Sequence, residues 1–213
     1  METVLFCPTQ MELDAVMDVA QGAGVPGFVT GLGPASTAHS VTRFLENNSV
    51  SFIILAGIAG AYRPELLGGN RAFVAKSEVF ADLGRCSHNS IEPIKLAEQE
   101  VKEYFRLVEE GDEIHTFVTA SHGLALANMA TVSCSSGTFE RARTIAEGFD
   151  VEIENMEGAA AALSCAAYDV RLIELRAVSN LAGETDKSKW DIPGALGQLS
   201  KGLRELLVAL PLR

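Results

Sequence analysis

Short apolar runs closed by glycine, alternating with segments of helical apolar spacing, constrain this chain more than any other feature of its sequence. Residues 3–7 are the first such run, and residues 11–21 follow with Leu13, Val16, Met17 and Ala20 on one helical face. Phe28 and Val29 lead into a glycine-rich turn at 30–34, after which Ala38, Val41, Phe44 and Leu45 recur at helical spacing within 35–48. Residues 51–56 are apolar almost throughout and run into a second glycine-rich turn at 57–61. Strands without polar alternation are covered on both faces, and intervening helices supply the crossovers that parallel pairing needs. The pattern predicts an α/β fold built on a largely parallel, doubly covered sheet. Further strands are expected at 72–80, 115–120 and 130–134, and helices at 94–108, 138–148 and 192–210. Asp191 is placed to cap the last helix, with Pro193 tolerated in its first turn.

A chain of 213 residues can bury one sizeable core, and no repeat, low-complexity segment or linker divides it, so 1–213 reads as a single domain. No apolar run approaches the roughly 18 residues of a membrane span. The N-terminus lacks a basic-then-apolar leader, which gives the expectation of an untargeted, soluble, cytoplasmic protein. Cys7, Cys86, Cys134 and Cys165 show no CxxC spacing, and three of them sit in apolar strand or helix contexts, as buried free thiols in a reducing compartment do. His39, His88, His115 and His122 form no ligand cluster, so no metal site is expected. Neither glycine-rich turn is a GxGxxG or Walker sequence, and no cofactor is expected. Seventeen basic against 28 acidic residues give a net charge of −11, which disfavours nucleic acid and anionic membranes and favours a small-molecule partner.

Ligands of parallel sheets bind beyond the carboxyl ends of the strands. That rule gathers residues 8–12, 31–34, 57–61 and 135–138 with Met156-Glu157 and Ser179-Asn180. Thr9 and Glu12 fit a capping box, yet Glu12 is equally a carboxylate at a sheet edge able to activate water. Gly57, Ala59 and Gly60 serve either as a turn or as small residues that let backbone N–H groups approach a ligand. Glu157 opens a helix of unusually small residues, Gly158 to Ala167. An acid there suits the helix dipole by roughly 0.3–1 kcal/mol, and it also suits the paired hydroxyls of a ribose, with Met156 packed under the sugar. Asn180 closes a buried strand as a turn residue or as an amide facing a purine edge. Arg176, in the same apolar run, must pair with an acid or hold a polar ligand.

The runs Asn155-Met-Glu-Gly-Ala-Ala160 and Arg176-Ala-Val-Ser-Asn180 resemble the nucleoside phosphorylase and nucleosidase superfamily, in particular its methylthioadenosine/S-adenosylhomocysteine nucleosidase branch. Ala56-Gly-Ile-Ala-Gly-Ala61, Phe80-Ala-Asp-Leu-Gly84 and the final Val-Ser-Asn are similar to the futalosine hydrolase group within it. The resemblance implies a single α/β domain with a central mixed sheet flanked by helices, a homo-oligomer, and cleavage of a purine nucleoside's N-glycosidic bond through an oxocarbenium-like transition state. It implies that Glu157 binds the ribose hydroxyls, Met156 packs on the sugar, Glu12 activates water and Arg176 helps position that water. Two departures qualify it. Asn180 stands where adenine-specific nucleosidases have the acid that protonates the leaving base, which favours a 6-oxopurine such as the hypoxanthine of futalosine. Asp186 in the next loop is then a candidate acid, or simply a solvated charge. Ile58 stands where the nucleosidases carry a water-proximal serine. The early loops carry no arginine for phosphate, so water is the expected acceptor. The alternatives are an adenine-type nucleosidase, a purine nucleoside phosphorylase, and a nucleoside-binding protein without turnover.

Overall fold

The computed structural model describes residues 3–69, 72–87, 91–93, 95–96, 99–100 and 104–210. Its first elements are β1 (Thr3–Cys7), α1 (Gln10–Gly22), β2 (Gly27–Val29), α2 (Pro34–Leu45) and β3 (Phe52–Ala61). The middle holds β4 (Ala72–Phe80), short β5 (Gly84–Cys86), β6 (Ile91–Pro93), β7 (Lys95–Leu96), β8 (Gln99–Glu100) and β9 (Tyr104–Arg106), then α3 (Glu113–Ala120) and β10 (Leu124–Thr131). The chain ends with α4 (Phe139–Phe149), β11 (Ile153–Asn155), α5 (Gly158–Ala167), β12 (Arg171–Leu181) and α6 (Ile192–Ala209).

The strand alternation sorts two cores. Along β1 and β3, Leu5, Cys7, Ile54 and Ala56 face the side covered by α1, α3 and α6, whereas Val4, Phe6, Ile53 and Leu55 face the side covered by α2 and α5. Both faces are therefore dry, which is why these strands show no polar alternation. The small face of α5 lies flat on the second side, with Ala159 to Ala162 and Cys165 buried.

The main sheet runs β11-β10-β4-β12-β3-β1-β2, with β9 added to β4. It is mixed: β3 is parallel to β1 and β12, whereas β12 meets β4 antiparallel. β11 pairs parallel with β10 and antiparallel with the far end of β3, at Gly60 and Ala61. Strands β3, β12, β4, β10 and β11 thus close on themselves, and the carboxyl ends of β3, β11 and β12, with the segment after β10, gather around one opening.

Several expected elements differ. Residues 57–61 are not a turn; β3 runs straight through them, and their small side chains instead admit close neighbours. Residues 115–120 are helical, not extended. Asp112 caps α3 by accepting from the His115 N–H at 2.6 Å, and Ile114 and Val118, one turn apart, are both buried. That packing overrides the β-branched composition. The expected helix at 94–108 is absent from its described part, where β9 pairs antiparallel with β4 and β7 with β8. Residues 94, 97, 98 and 101–103 lie outside the described residues, as does His88. The strand expected at 130–134 begins earlier and ends at Thr131, leaving Cys134 exposed, while Cys7 and Cys165 are buried and free. No described helix is long and apolar enough to cross a membrane.

α6 docks where Gly202 meets the sheet. A Cβ there would sit 2.5 Å from the Cβ of Ala72 and 3.3 Å from Leu124 Cδ2. Alanine normally stabilises a helix interior by about 1 kcal/mol over glycine. Gly202→Ala is expected to reverse that sign, lowering stability by about 1–3 kcal/mol through overpacking. Urea unfolding followed by circular dichroism reads it as a lower midpoint at unchanged slope.

Candidate active site

A cavity of about 290 Å³ opens at those gathered strand ends. Its wall takes Glu12 from the start of α1, Ile58, Ala59 and Gly60 from β3, and Met156 and Glu157 from the β11–α5 junction. Ser179 and Asn180 come from β12, and Trp190 from the segment before α6. No lysine, arginine or histidine among the described residues lines it.

Glu12 makes the capping box and also stands in the cavity wall. Its Oε2 accepts from the Thr9 N–H at 2.9 Å and the Thr9 hydroxyl at 2.5 Å, which completes the capping box, while Oε1 accepts from the Ile58 N–H at 2.8 Å. The cap fixes the carboxylate, and the β3 amide aims it at the cavity. Glu157 precedes α5 without capping it. Its Oε1 accepts from the Gly33 N–H at 3.1 Å, and Oε2 pairs with Arg176 Nη1 at 3.1 Å. Gly33 holds φ of 89°, a left-handed conformation that glycine adopts without strain, so this N–H can turn inward.

Arg176 does not line the cavity. It lies beneath it with no exposure, Nε donating to Glu174 Oε1 at 2.8 Å, Nη2 to Asn155 Oδ1 at 3.3 Å and Nη1 to the Ile58 carbonyl at 3.4 Å. Removing one partner from such a buried pair costs about 3–5 kcal/mol, because the other charge stays behind in the dry interior. Gly57 is part of the same packing rather than of the wall. A Cβ on it would stand 2.5 Å from Arg176 Nη1, 2.9 Å from Glu12 Oε1 and 3.2 Å from Pro8 Cδ.

Ser179 and Asn180 sit at an irregularity of β12, where the register with β3 shifts between Val178 and Asn180. Such bulges re-aim side chains. The Ser179 hydroxyl donates to Asn180 Oδ1 at 2.8 Å, and Asn180 Nδ2 donates to the Leu181 carbonyl at 2.8 Å. One lone pair of Oδ1 is thereby occupied, and one Nδ2 hydrogen is left to donate. Asp186 stands outside the wall. It is exposed and accepts from the Ser188 hydroxyl at 2.7 Å and N–H at 3.0 Å, which hold its carboxyl below the usual range and so ionised, the opposite of what an acid needs.

Sequence reasoning missed Glu154, whose carboxylate lines the cavity and accepts from the Ser136 hydroxyl at 2.5 Å, the Ser136 N–H at 2.8 Å and Tyr62 at 3.0 Å. Burial, then the neighbouring Glu154 charge, push the Tyr62 phenol well above its ordinary range, keeping it a donor. Trp190 and Glu184 were missed as well.

The model of the phosphorylase superfamily matches residues 22–210. The chain belongs to that superfamily. Among curated superfamily members, it is 34% identical to the futalosine hydrolase of Thermus thermophilus over 191 residues, covering 88% of this chain and 83% of that protein. It is 31% identical to the futalosine hydrolase of Streptomyces coelicolor, over 86% of this chain and 78% of that one. The native structure of Helicobacter pylori futalosine hydrolase superposes with a TM-score of 0.80 at 17% identity, covering 99% of this chain and 98% of the other. A Helicobacter pylori 5′-methylthioadenosine/S-adenosylhomocysteine nucleosidase bound to butyl-thio-DADMe-Immucillin-A gives 0.80 at 16% identity, covering 99% of each chain. At those identities the two structures share the superfamily fold with this chain.

Within this superfamily site, Gly57 separates Arg176 from Glu12 by being side-chain-free. Gly57→Ala is expected to displace both groups while leaving the strand intact. A misplacement of about 1 Å lowers turnover by roughly a hundredfold. Steady-state kinetics with the substrate assigned below check it, alongside an unchanged far-ultraviolet circular dichroism spectrum.

Proposed function

We propose that this chain hydrolyses the N-glycosidic bond of futalosine, releasing hypoxanthine and dehypoxanthinylfutalosine on a route to menaquinone. The observation that carries the reading is the fixed amide of Asn180. Ser179 anchors one lone pair of its Oδ1 and the Leu181 carbonyl one Nδ2 hydrogen, which leaves the other Nδ2 hydrogen for the cavity. Hypoxanthine offers acceptors at N7 and O6, whereas adenine needs a partner that also accepts from its 6-amino group. An adenine nucleosidase protonates its leaving base, and the acids at this end are poor donors. Glu184 is held below the usual carboxylate range first by its bond to Lys189, at 2.7 Å, and Asp186 by Ser188.

In this assignment Glu157 accepts from the ribose hydroxyls and Met156 packs on the sugar. Ala59, Gly60 and the Ser179–Asn180 bulge hold the base. As the C1′–N9 bond breaks, its electron pair moves onto the purine, where the Asn180 N–H stabilises the growing charge. The acidic wall stabilises the ribosyl cation. Water adds its oxygen to C1′ and gives a proton to Glu12, and the departing base takes up a proton from solvent. Arg176 acts through Glu157, not on the water directly. Water rather than phosphate is the acceptor, because a wall bearing Glu12, Glu154 and Glu157 and no cation repels phosphate. The free, buried thiols of Cys7 and Cys165 support a reducing cytoplasm. Leu32 at the cavity, and Phe28 and Val29 on β2 at the end of the sheet, are exposed and support a homo-oligomer.

Futalosine, inosine and methylthioadenosine, each with and without phosphate, are expected to separate the readings by chromatography of the free base. Hypoxanthine from futalosine, insensitive to phosphate, supports the assignment; adenine from methylthioadenosine with nothing from futalosine overturns it. Glu12→Gln is expected to lower kcat by about 10²–10⁴ with futalosine still bound, as loss of a general base does. Tight binding in the wild type without any release would mark a nucleoside-binding protein instead. Asn180→Asp should shift relative kcat/KM toward adenine nucleosides by about tenfold or more, the scale of one discriminating hydrogen bond.

A further inference from the structure

Beneath the cavity, Glu78 of β4 and Glu174 of β12 are both without exposure. Glu174 Oε1 accepts from Arg176 Nε at 2.8 Å, but Oε2 finds no hydrogen-bond donor among the described residues when both acids are written as carboxylates. Glu78 Oε1 and Glu174 Oε2 both crowd the point where a Cβ on Gly158 would stand, so the two carboxyl groups face each other across the start of α5. The other charged and titratable groups around them are few. Glu157 and Arg176 stand on the cavity side, and Tyr62 with Glu154 lie further along the wall. Glu78 Oε2 accepts from Thr131 Oγ1 at 2.9 Å and the Val79 N–H at 3.2 Å, and Asn155 Nδ2 donates to Glu78 Oε1. The Asn155 amide cannot turn around, because its Oδ1 accepts from the Glu157 N–H at 2.9 Å and the Gly158 N–H at 2.8 Å.

Two bare carboxylates do not face each other in a dry interior; one takes a proton. We propose that Glu78 and Glu174 share a single proton, held on Glu78 and donated to Glu174 Oε2, and that this pair is the positioning device for Arg176 and Glu157. The proton gives the orphaned oxygen its donor. Arg176, bonded to Glu174, selects Glu78 as the protonated partner. Burial first, then the Glu174 charge, push Glu78 well above the usual carboxylate range; burial raises Glu174 as well, and Arg176 pulls it part of the way back. Glu174 then neutralises Arg176 from below. Glu157 is left with charge to spare for ribose hydroxyls instead of spending it on the guanidinium. Gly158 is the one side chain omitted so that the two acids can meet.

The catalytic consequence rests on the nucleosidase reading above; the shared proton does not. Infrared spectra of the substrate-free protein in H2O and D2O are expected to show a protonated-carboxyl band at neutral pH that shifts on deuteration. It should vanish in Glu78→Gln, whereas in Glu174→Gln, where burial still keeps Glu78 protonated, it should persist but shift, because the carboxylate that accepts the proton is gone. With futalosine, Glu78→Gln supplies a neutral donor and should keep kcat/KM within about tenfold of wild type. Glu174→Gln frees Arg176 to capture Glu157 and should lower kcat/KM by roughly a hundredfold, chiefly through KM. Absence of the band, its persistence in Glu78→Gln, an unshifted band in Glu174→Gln, or an equal kinetic loss in both variants overturns the proposal. Should Glu174→Gln not fold, the Glu78→Gln spectrum and kinetics decide alone. A wild type that shows the band but releases no base refutes the functional reading and leaves the proton in place.

Discussion

A guanidinium shut away from water has to be neutralised where it stands, and most of this molecule's polar interior is arranged around that requirement at Arg176. Glu174 meets it from the same strand, two residues back and therefore on the same face. Glu157 meets it from the mouth of a helix, and Asn155 and the Ile58 carbonyl complete its shell. These partners come from three backbone segments: β12 itself, the β11–α5 junction and β3. The ion pairs therefore do more than hold charge: they fix the start of α5, the β3 segment and β12 relative to one another. The cavity is the space left above that knot.

The energetic logic explains why the site is acidic without being unstable. Buried ion pairs add little net stability by themselves, since desolvation consumes much of the attraction, but breaking one is expensive. Such a network specifies one arrangement more than it strengthens it. Its carboxylates outnumber its single cation, and the surplus negative charge faces the cavity, where an electron-poor sugar carbon would develop. Burial, which penalises surplus charge elsewhere, is here relieved by backbone and side-chain donors: Thr9, Gly33, Ile58 and Ser136 each give an N–H to one of these acids.

Much of this was legible in residue order. Glu12 was visible through its capping box, Met156-Glu157 and Ser179-Asn180 through their places at strand ends, and Arg176 through the improbability of a solitary buried arginine. The fold class followed from the unalternating apolar strands. What escaped was set by contacts between distant parts of the chain. Glu78 gives no hint in its own neighbourhood that it will face Glu174. Residues 57–61 looked like a turn because glycine serves both bends and close approach, and only the positions of Arg176 and Ala182 decide between them. Residues 115–120 read as extended because Thr116, Phe117 and Val118 favour strands, whereas the Asp112 cap and burial on α6's side of the sheet decide for helix.

The irregularity at Val178–Asn180 carries a meaning for how this pocket can change over time. Neighbouring residues of a strand point to opposite faces, and a slip of one position exchanges them wholesale. The bulge places two consecutive residues, a hydroxyl and the amide it orients, at the same pocket. An insertion or deletion nearby would scramble that pair together with the pairing to β3, so lineages can hardly explore it. A point replacement at 179 or 180 leaves the ladder untouched. In the proposed assignment base selection rests on these two adjacent positions, within a frame that tolerates no shift, so a replacement there would change the base accepted and leave the fold superposable.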